Sequence, residues 1–474
     1  MVFSSVTFLF VFLPITLVIY FLFKGALRNY WLLAMSLLFF SWSQPQFLWV
    51  ICLSVLINYF GGVLISLFKK ISKLILFGVV TANLLILFYF KYLGFVVDTI
   101  NSFTNFSFSC NDIVLPIGIS FFTFQGVSYV IDVYRSTVPV QKNPVKVALY
   151  IMLFPQLIAG PIVRYTDVLK DIDDRNISAD KFVYGIERFI IGLAKKVIIA
   201  NSLAEIVDSI WNQGTLGSMC SVAWLGSIAY TLQIYFDFSG YSDMAIGLGR
   251  MLGFHFPENF DLPYISRSIS EFWRRWHISL SSWFRDYVYI PLGGNKKYKA
   301  RNLAIVFLLT GIWHGAAWNF VLWGIWNGVF VIIEYYSKKK ANYRNKKPVP
   351  MRLKEVLGLI YTLFVVNVGW VLFRAQSIKA AIDYISIMFG IKSAEFPGYT
   401  IDWYLSKWNL LILVLGLFFA SSVPKKLFCL MTSRIDSEQM WCSCVKYIGL
   451  VLLMYFCMIR ITSGTYNPFI YFQF

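Results

Sequence analysis

The sequence predicts an all-α integral membrane protein: about eleven transmembrane helices, with re-entrant and interfacial helices around a central cavity. Three observations predict it. A chain of 474 residues that is 58% hydrophobic and 19% aromatic has more apolar surface than a water-soluble core of ordinary proportions can hide. That apolar content is gathered into runs near the length of a bilayer core, among them Val6 to Phe23, Phe47 to Phe68, Leu74 to Tyr89, Val356 to Phe373 and Leu410 to Ala420. The basic residues sit in the short loops between those runs, so the net charge of +18 reads as the positive-inside pattern and excludes a nucleic-acid partner.

In chain order, the opening run lacks a positive leader and a small-residue cleavage site, which makes it a retained first helix. Lys24 and Arg28 follow it, so the N-terminus is expected outside. The clusters Lys69/Lys70/Lys73, Lys296/Lys297/Lys299/Arg301 and Lys338/Lys339/Lys340/Arg344/Lys346/Lys347 are expected in the cytoplasm. Seven cysteines are scattered without metal or disulfide spacing, and the Cys442-Ser443-Cys444 pair is weak evidence for either, so no metal site is expected. No internal repeat or linker divides the chain, which reads as one membrane domain over residues 1–474.

Between two basic flanks, Phe154 to Tyr165 (FPQLIAGPIVRY) carries Pro155, Gly160 and Pro161 in a run too short to cross. Broken backbone at membrane depth survives only when covered by protein or lining a wet cavity, so this segment points to an internal cavity.

The stretch RRWHISLSSWFRDYVYIPLGGN reads as one amphipathic interfacial helix. Trp273, Trp276, Leu280, Trp283 and Tyr287 form an aromatic stripe at three- and four-residue steps, with Arg274, Ser281 and Arg285 on the other side. Two readings fit: an anchor with aromatic rings at headgroup depth, or the cytoplasmic mouth of a site for a phosphate-bearing donor, made of Arg274, Arg275, Arg285 and the Gly293 to Lys297 turn. Spacing does not decide between them.

His314 follows from geometry. Between Arg301 and Lys338 lie 36 residues, about 54 Å of helix, which is an inward-outward pair. His314 lies about 18 Å of helix past Asn302, deep in the bilayer profile. Gly311, Gly315, Ala316 and Ala317 permit close packing or a bend beside it. An ionisable group there is either a functional residue or a neutral histidine bonded to a neighbouring helix. Asp237 and Asp243 stand in an apolar run, where they could orient a histidine, line a tunnel, or simply bond to Ser239, Tyr241 or backbone.

From about Leu115 onward, ordered blocks resemble the membrane-bound O-acyltransferases of the alginate O-acetyltransferase branch: LPIGISFFTFQGVSYVIDVYR, FPQLIAGPIVRY, the long block from Gln233 to Asn295, GIWHGAAWNF, GWVLFRA and the terminal FIYFQF. The resemblance implies a multi-helix fold with a central tunnel, a catalytic histidine at His314 and a second, cytoplasm-side histidine at His277. It assigns no role to His255, which reads as structural. It further implies a cytoplasmic thioester donor such as acetyl-CoA with no bound cofactor, an extracytoplasmic polysaccharide acceptor, a separate extracytoplasmic acetyltransferase partner, and residence in the bacterial inner membrane.

The residues suit acyl transfer. A neutral imidazole at His314 can take the acceptor hydroxyl's proton, and Trp313 or Asn319 can donate to the tetrahedral oxyanion or merely pack. D-alanyl transfer to teichoic acid shares the WHG histidine and stays open. A polysaccharide or lipid transporter without chemistry would suit the broken helices and basic mouth, but the paired repeats expected of such transporters are absent.

Overall fold

A computed structural model describes residues 1–104, 108–109, 113–212, 219–341, 351–392, 399–432 and 440–464. The side chains of the cluster Lys338 to Lys347, Cys442 and the terminal FIYFQF lie outside the described residues. Every regular element among the described residues is helical. Among the described residues, five helices are long and apolar enough to cross a membrane: Pro45–Leu67, Lys69–Phe103, Trp318–Ser337, Arg352–Arg374 and Ser443–Thr462. Phe8–Leu22 and Lys407–Ala420 are apolar but shorter. The chain divides into two compact units, Met1–Phe189 with Tyr241–Glu258, and Ile190–Gly240 with Asn259–Phe474.

In the first unit, the helices Leu48–Leu67 and Ser72–Leu87 are clasped by a reciprocal amide pair: Asn58 donates to Asn83 Oδ1 at 3.0 Å and Asn83 donates back at 3.1 Å. Such a pair satisfies polar groups that lipid cannot. A Cβ at Gly126, on the helix Ile119–Tyr134, would lie 2.3 Å from the Asn58 amide, so only glycine lets that helix approach. The expected break is present. Phe154–Leu157 is a four-residue helix, and the irregular backbone after it runs through fully buried surroundings to Val163. Tyr150 accounts for part of its polar demand, accepting from Gln156 Nε2 at its carbonyl (2.5 Å) and donating its hydroxyl to the Val163 carbonyl (3.2 Å). Asp243 binds Arg188 at 2.7 Å, and Arg188 also holds Glu258 at 2.6 Å.

The second unit holds both candidate histidines. Its core is aromatic, with Phe272, Trp276, Trp323, Trp370 and Phe373 all buried. Lys299–His314 and Trp318–Ala341 are consecutive helices packed against each other, of which Trp318–Ser337 is long and apolar enough to cross a membrane. Their approach is set by glycines: a Cβ at Gly311 would lie 2.4 Å from the Phe320 carbonyl oxygen, and one at Gly324 would lie 2.5 Å from that of Phe307. At that separation two helices pack backbone to backbone.

The single interfacial helix expected around His277 is instead two short ones, Ile269–Arg275 and Ile278–Phe284, the second continued by a π turn at Arg285–Tyr289. The first is capped by Ser268, whose hydroxyl accepts from Glu271 N at 3.1 Å. Glu334, from the facing helix, accepts from both Ile269 N and Ser270 N. The aromatic stripe is not a headgroup anchor, because Trp273, Trp276, Leu280 and Trp283 are 8%, 1%, 1% and 5% exposed and pack within protein. The break turns Trp276 toward Tyr264 and Trp370, and Trp273 toward Trp323.

Candidate active site

His314 is the last residue of its helix, where Gly315 N closes onto the Gly311 carbonyl at 3.4 Å. Its imidazole is 3% exposed and lies in an aromatic cage, 5.0 Å centroid to centroid from Trp323 and 5.2 Å from Phe373, both edge to face, with Trp313 at 4.9 Å. The indole of Trp313 is in turn 6.1 Å from the ring of His277. The two histidines therefore flank one tryptophan, so His277 lies beside the His314 cage and not only at a remote donor-side lip.

His277 is fully buried, and its backbone is left-handed, with φ +43° and ψ +56°. Nδ1 lies 3.0 Å from Asn259 Oδ1, and the ring meets Phe238 edge to face at 4.7 Å. Burial lowers its pKa to about 3, so the imidazole is neutral.

A cavity of about 720 Å³ opens on the helix Lys299–His314. Arg274, Arg285, Asn295 and Lys299 line its polar part, and Leu303, Val306 and Phe307 line its apolar wall up to Thr310. Lys299, Leu303, Val306, Phe307 and Thr310 follow one helix face, whose next turn carries Trp313 and His314. Trp273 also lines the cavity and touches Trp323 of the histidine cage, at 5.5 Å.

The expected basic residues separate here. Arg274 faces the cavity. Arg285 faces it too while paired to its neighbour Asp286 at 2.7 Å. Arg275 does not line the cavity; it is held by Asp261 at 2.8 Å and Glu271 at 3.1 Å, which makes it a brace for its own short helix. Lys299, which in the sequence stands among a cluster of loop charges, faces the cavity as well, and its spacing to His314 along one helix face is the signal that finds it.

Two further expectations change. Asn319 is not placed as an oxyanion donor, because its amide hydrogens go to the carbonyls of Leu372 (3.4 Å) and Ala375 (2.8 Å), closing the end of the helix Met351–Arg374. Asp237 is 1% exposed and forms a 2.5 Å ion pair with Lys196, itself 3% exposed; its charge is already compensated within the fold. His255 is exposed, and its backbone N–H donates to Asp171 at 2.9 Å. Among the described residues no cluster of histidine, cysteine, aspartate or glutamate could hold a metal ion.

A buried histidine cage thus lies one helix turn beyond a cavity lined by Arg274, Arg285 and Lys299. Residues 138–341 match the family model of the membrane-bound O-acyltransferase family. Over the full length of both chains, the sequence is 40% identical to the protein named Probable alginate O-acetylase AlgI of Pseudomonas putida. It is 31% identical to the peptidoglycan O-acetyltransferase of Helicobacter pylori, covering 100% of this chain and 98% of that one. Against the teichoic acid D-alanyltransferase of Bacillus subtilis it is 30% identical, over 56% of this chain and 70% of that one. The chain belongs to the membrane-bound O-acyltransferase family, in its alginate O-acetyltransferase branch. It is a membrane protein and an O-acyltransferase.

Proposed function

We propose that this protein takes an acetyl group from a thioester on the cytoplasmic side of a bacterial inner membrane and delivers it for O-acetylation of a polysaccharide outside. Acetyl-CoA is the proposed donor, and a separate extracytoplasmic acetyltransferase is the proposed partner that hands the group to the glycan. About eleven crossings, some made of short or broken helices, would enclose the route. The observation that carries this reading is the cavity: cations of Arg274, Arg285 and Lys299 in its lining, and an apolar wall along one helix face that ends at Thr310, one turn before His314. Guanidinium and ammonium groups suit the phosphates of such a donor. The apolar wall suits its arm.

In the proposed step, neutral His314 accepts the proton of a hydroxyl as the oxygen attacks the thioester carbonyl. The carbonyl π electrons move to oxygen, and the Trp313 N–H is the candidate donor to that oxyanion. Collapse breaks the carbon–sulfur bond, and the thiolate leaves with the proton from His314. Only the acyl group crosses, and the aromatic cage limits water that would hydrolyse the thioester. Full-length similarity to relatives named for O-acetyl transfer, against partial similarity to a D-alanyltransferase, supports acetyl over D-alanyl as the group moved.

Sealed inverted vesicles containing the protein, its glycan acceptor and its partner, given labelled acetyl-CoA outside, test this. Label should enter the glycan inside, and His314→Gln should reduce the transfer by about 10²-fold or more with insertion unchanged. Near-normal acetylation by the glutamine variant would reject the mechanism and leave the cavity as a conduit.

A further inference from the structure

We propose that Asn259 is a positioning residue: its side-chain oxygen fixes the tautomer of His277, so that His277 Nε2 meets substrate as a neutral hydrogen-bond acceptor.

The hydrogen bonds around Asn259 identify its atoms. The backbone N–H of Ser279 can only donate, and it points at Asn259 Oδ1 from 3.3 Å, while the Ser279 hydroxyl donates to the same atom at 2.9 Å. The atom at that position is therefore the amide oxygen and not the nitrogen. The same oxygen lies 3.0 Å from His277 Nδ1. An amide oxygen has only lone pairs to offer, so Nδ1 carries the hydrogen, and in a neutral ring Nε2 then carries a lone pair. Burial, which lowers the pKa of this ring to about 3, keeps it neutral.

Among the described residues, Nε2 of His277 has no hydrogen-bond partner although the side chain is fully buried. A buried lone pair left without a donor is unfavourable. The ring lies 6.1 Å from that of Trp313, which adjoins His314, and on the acyl-transfer reading a substrate hydroxyl or amide N–H supplies the hydrogen. Nε2 in this tautomer cannot donate to a thioester carbonyl or an oxyanion. The geometry thus assigns His277 the hydroxyl- or amide-bearing face of the substrate, a role opposite in sign to that of Trp313.

The backbone supports the same residue. His277 occupies a left-handed conformation that a β-carbon disfavours, and Asn259 holds it there through its main chain as well, its carbonyl accepting from Ile278 N at 3.0 Å. One residue thus fixes the turn and the ring.

The tautomer can be read directly, because the chain has three histidines and ring-labelled histidine gives three sets of signals. The set lost in His277→Gln belongs to His277. In the full-length protein in lipid nanodiscs, the nitrogen shifts should report hydrogen on Nδ1. Asn259→Ala should shift the population toward hydrogen on Nε2 and lower acetyl transfer about tenfold or more in kcat, with donor KM unchanged. Asn259→Asp keeps an acceptor of the same shape. It should keep the Nδ1 hydrogen, retain transfer, and move the acidic limb of the pH–rate profile upward, since an anion beside Nδ1–H favours the imidazolium. Ser279→Ala should leave the tautomer unchanged. A wild-type ring with its hydrogen on Nε2, or a folded Asn259→Ala with an unchanged tautomer, overturns the proposal. Should Asn259→Ala not fold, an unmoved acidic limb in Asn259→Asp overturns it. The activity readouts rest on the acyl-transfer reading and the spectra do not; normal transfer by His314→Gln alongside the expected spectra would sink that reading and leave the tautomer assignment standing.

Discussion

Replacing Gly311 by alanine adds one methyl group at the closest approach of the two helices that carry the His314 cage. The new Cβ would lie 2.4 Å from the Phe320 carbonyl oxygen and 3.1 Å from Gly324 Cα, where ordinary contact begins near 3.4 Å. The obstacle is backbone, so no side chain can swing away, and the helices must separate by about 1 Å. Overpacking of this kind costs about 1–3 kcal/mol of stability, which an inserted helix pair of this size survives. The larger effect is on the site. His314 is three residues further on, and its cage includes Trp323, next to Gly324 on the opposite helix. A displacement of about 1 Å between a base and its substrate can lower the rate about 10²-fold. We therefore expect Gly311→Ala to be inserted and purified in near-normal yield, with transfer of label from acetyl-CoA down by about 10²-fold. The control is Gly369→Ala, whose Cβ would meet Trp326 at an ordinary 3.5 Å and should stay within about twofold of wild type. Near-wild-type transfer by a well-inserted Gly311→Ala would refute the argument that this helix crossing sets the catalytic geometry.

Two further outcomes follow from the charges. Arg274→Gln and Arg285→Gln should each raise the donor KM in a vesicle transfer assay with kcat nearly unchanged, whereas Arg275→Gln should lower thermal stability without moving KM, since its partners are Asp261 and Glu271; the opposite assignment of KM effects would refute the cavity as donor mouth. Lys196→Met removes the buried countercharge of Asp237 and should lower stability by about 3–5 kcal/mol. The double variant with Asp237→Leu should recover most of it, which detergent-phase thermal melting measures; no recovery would show that the two charges are not one unit.

The sequence made the helical class, the turn at His314 and the basic residues near Gly293 legible, because each is a local pattern: an apolar run, a length between charges, a cluster. It did not reveal partners distant along the chain. Trp276 and His277 carry no glycine or proline to mark a helix break, since the break is imposed by Asn259 and by packing against Trp370. The aromatic stripe was visible, but periodicity reports which side chains share a face and not whether that face meets lipid or protein. Lys196 stands beside Lys195 and looks like loop charge, yet it is buried on Asp237. Asn319 sits five residues past the histidine, and only the distant carbonyls of Leu372 and Ala375 reveal that its donors are spent.

The pairing of Lys196 with Asp237 also bears on how the chain is made. Synthesis runs from the N-terminus, so the ammonium leaves the ribosome before the helix Cys220–Met251 that carries its carboxylate exists. Until then burial of that ammonium away from water would lack this carboxylate and be strongly unfavourable. The segment bearing Lys196 is therefore expected to keep its ammonium hydrated until the later helix packs against it, which makes burial of this charge a joint event of two helices.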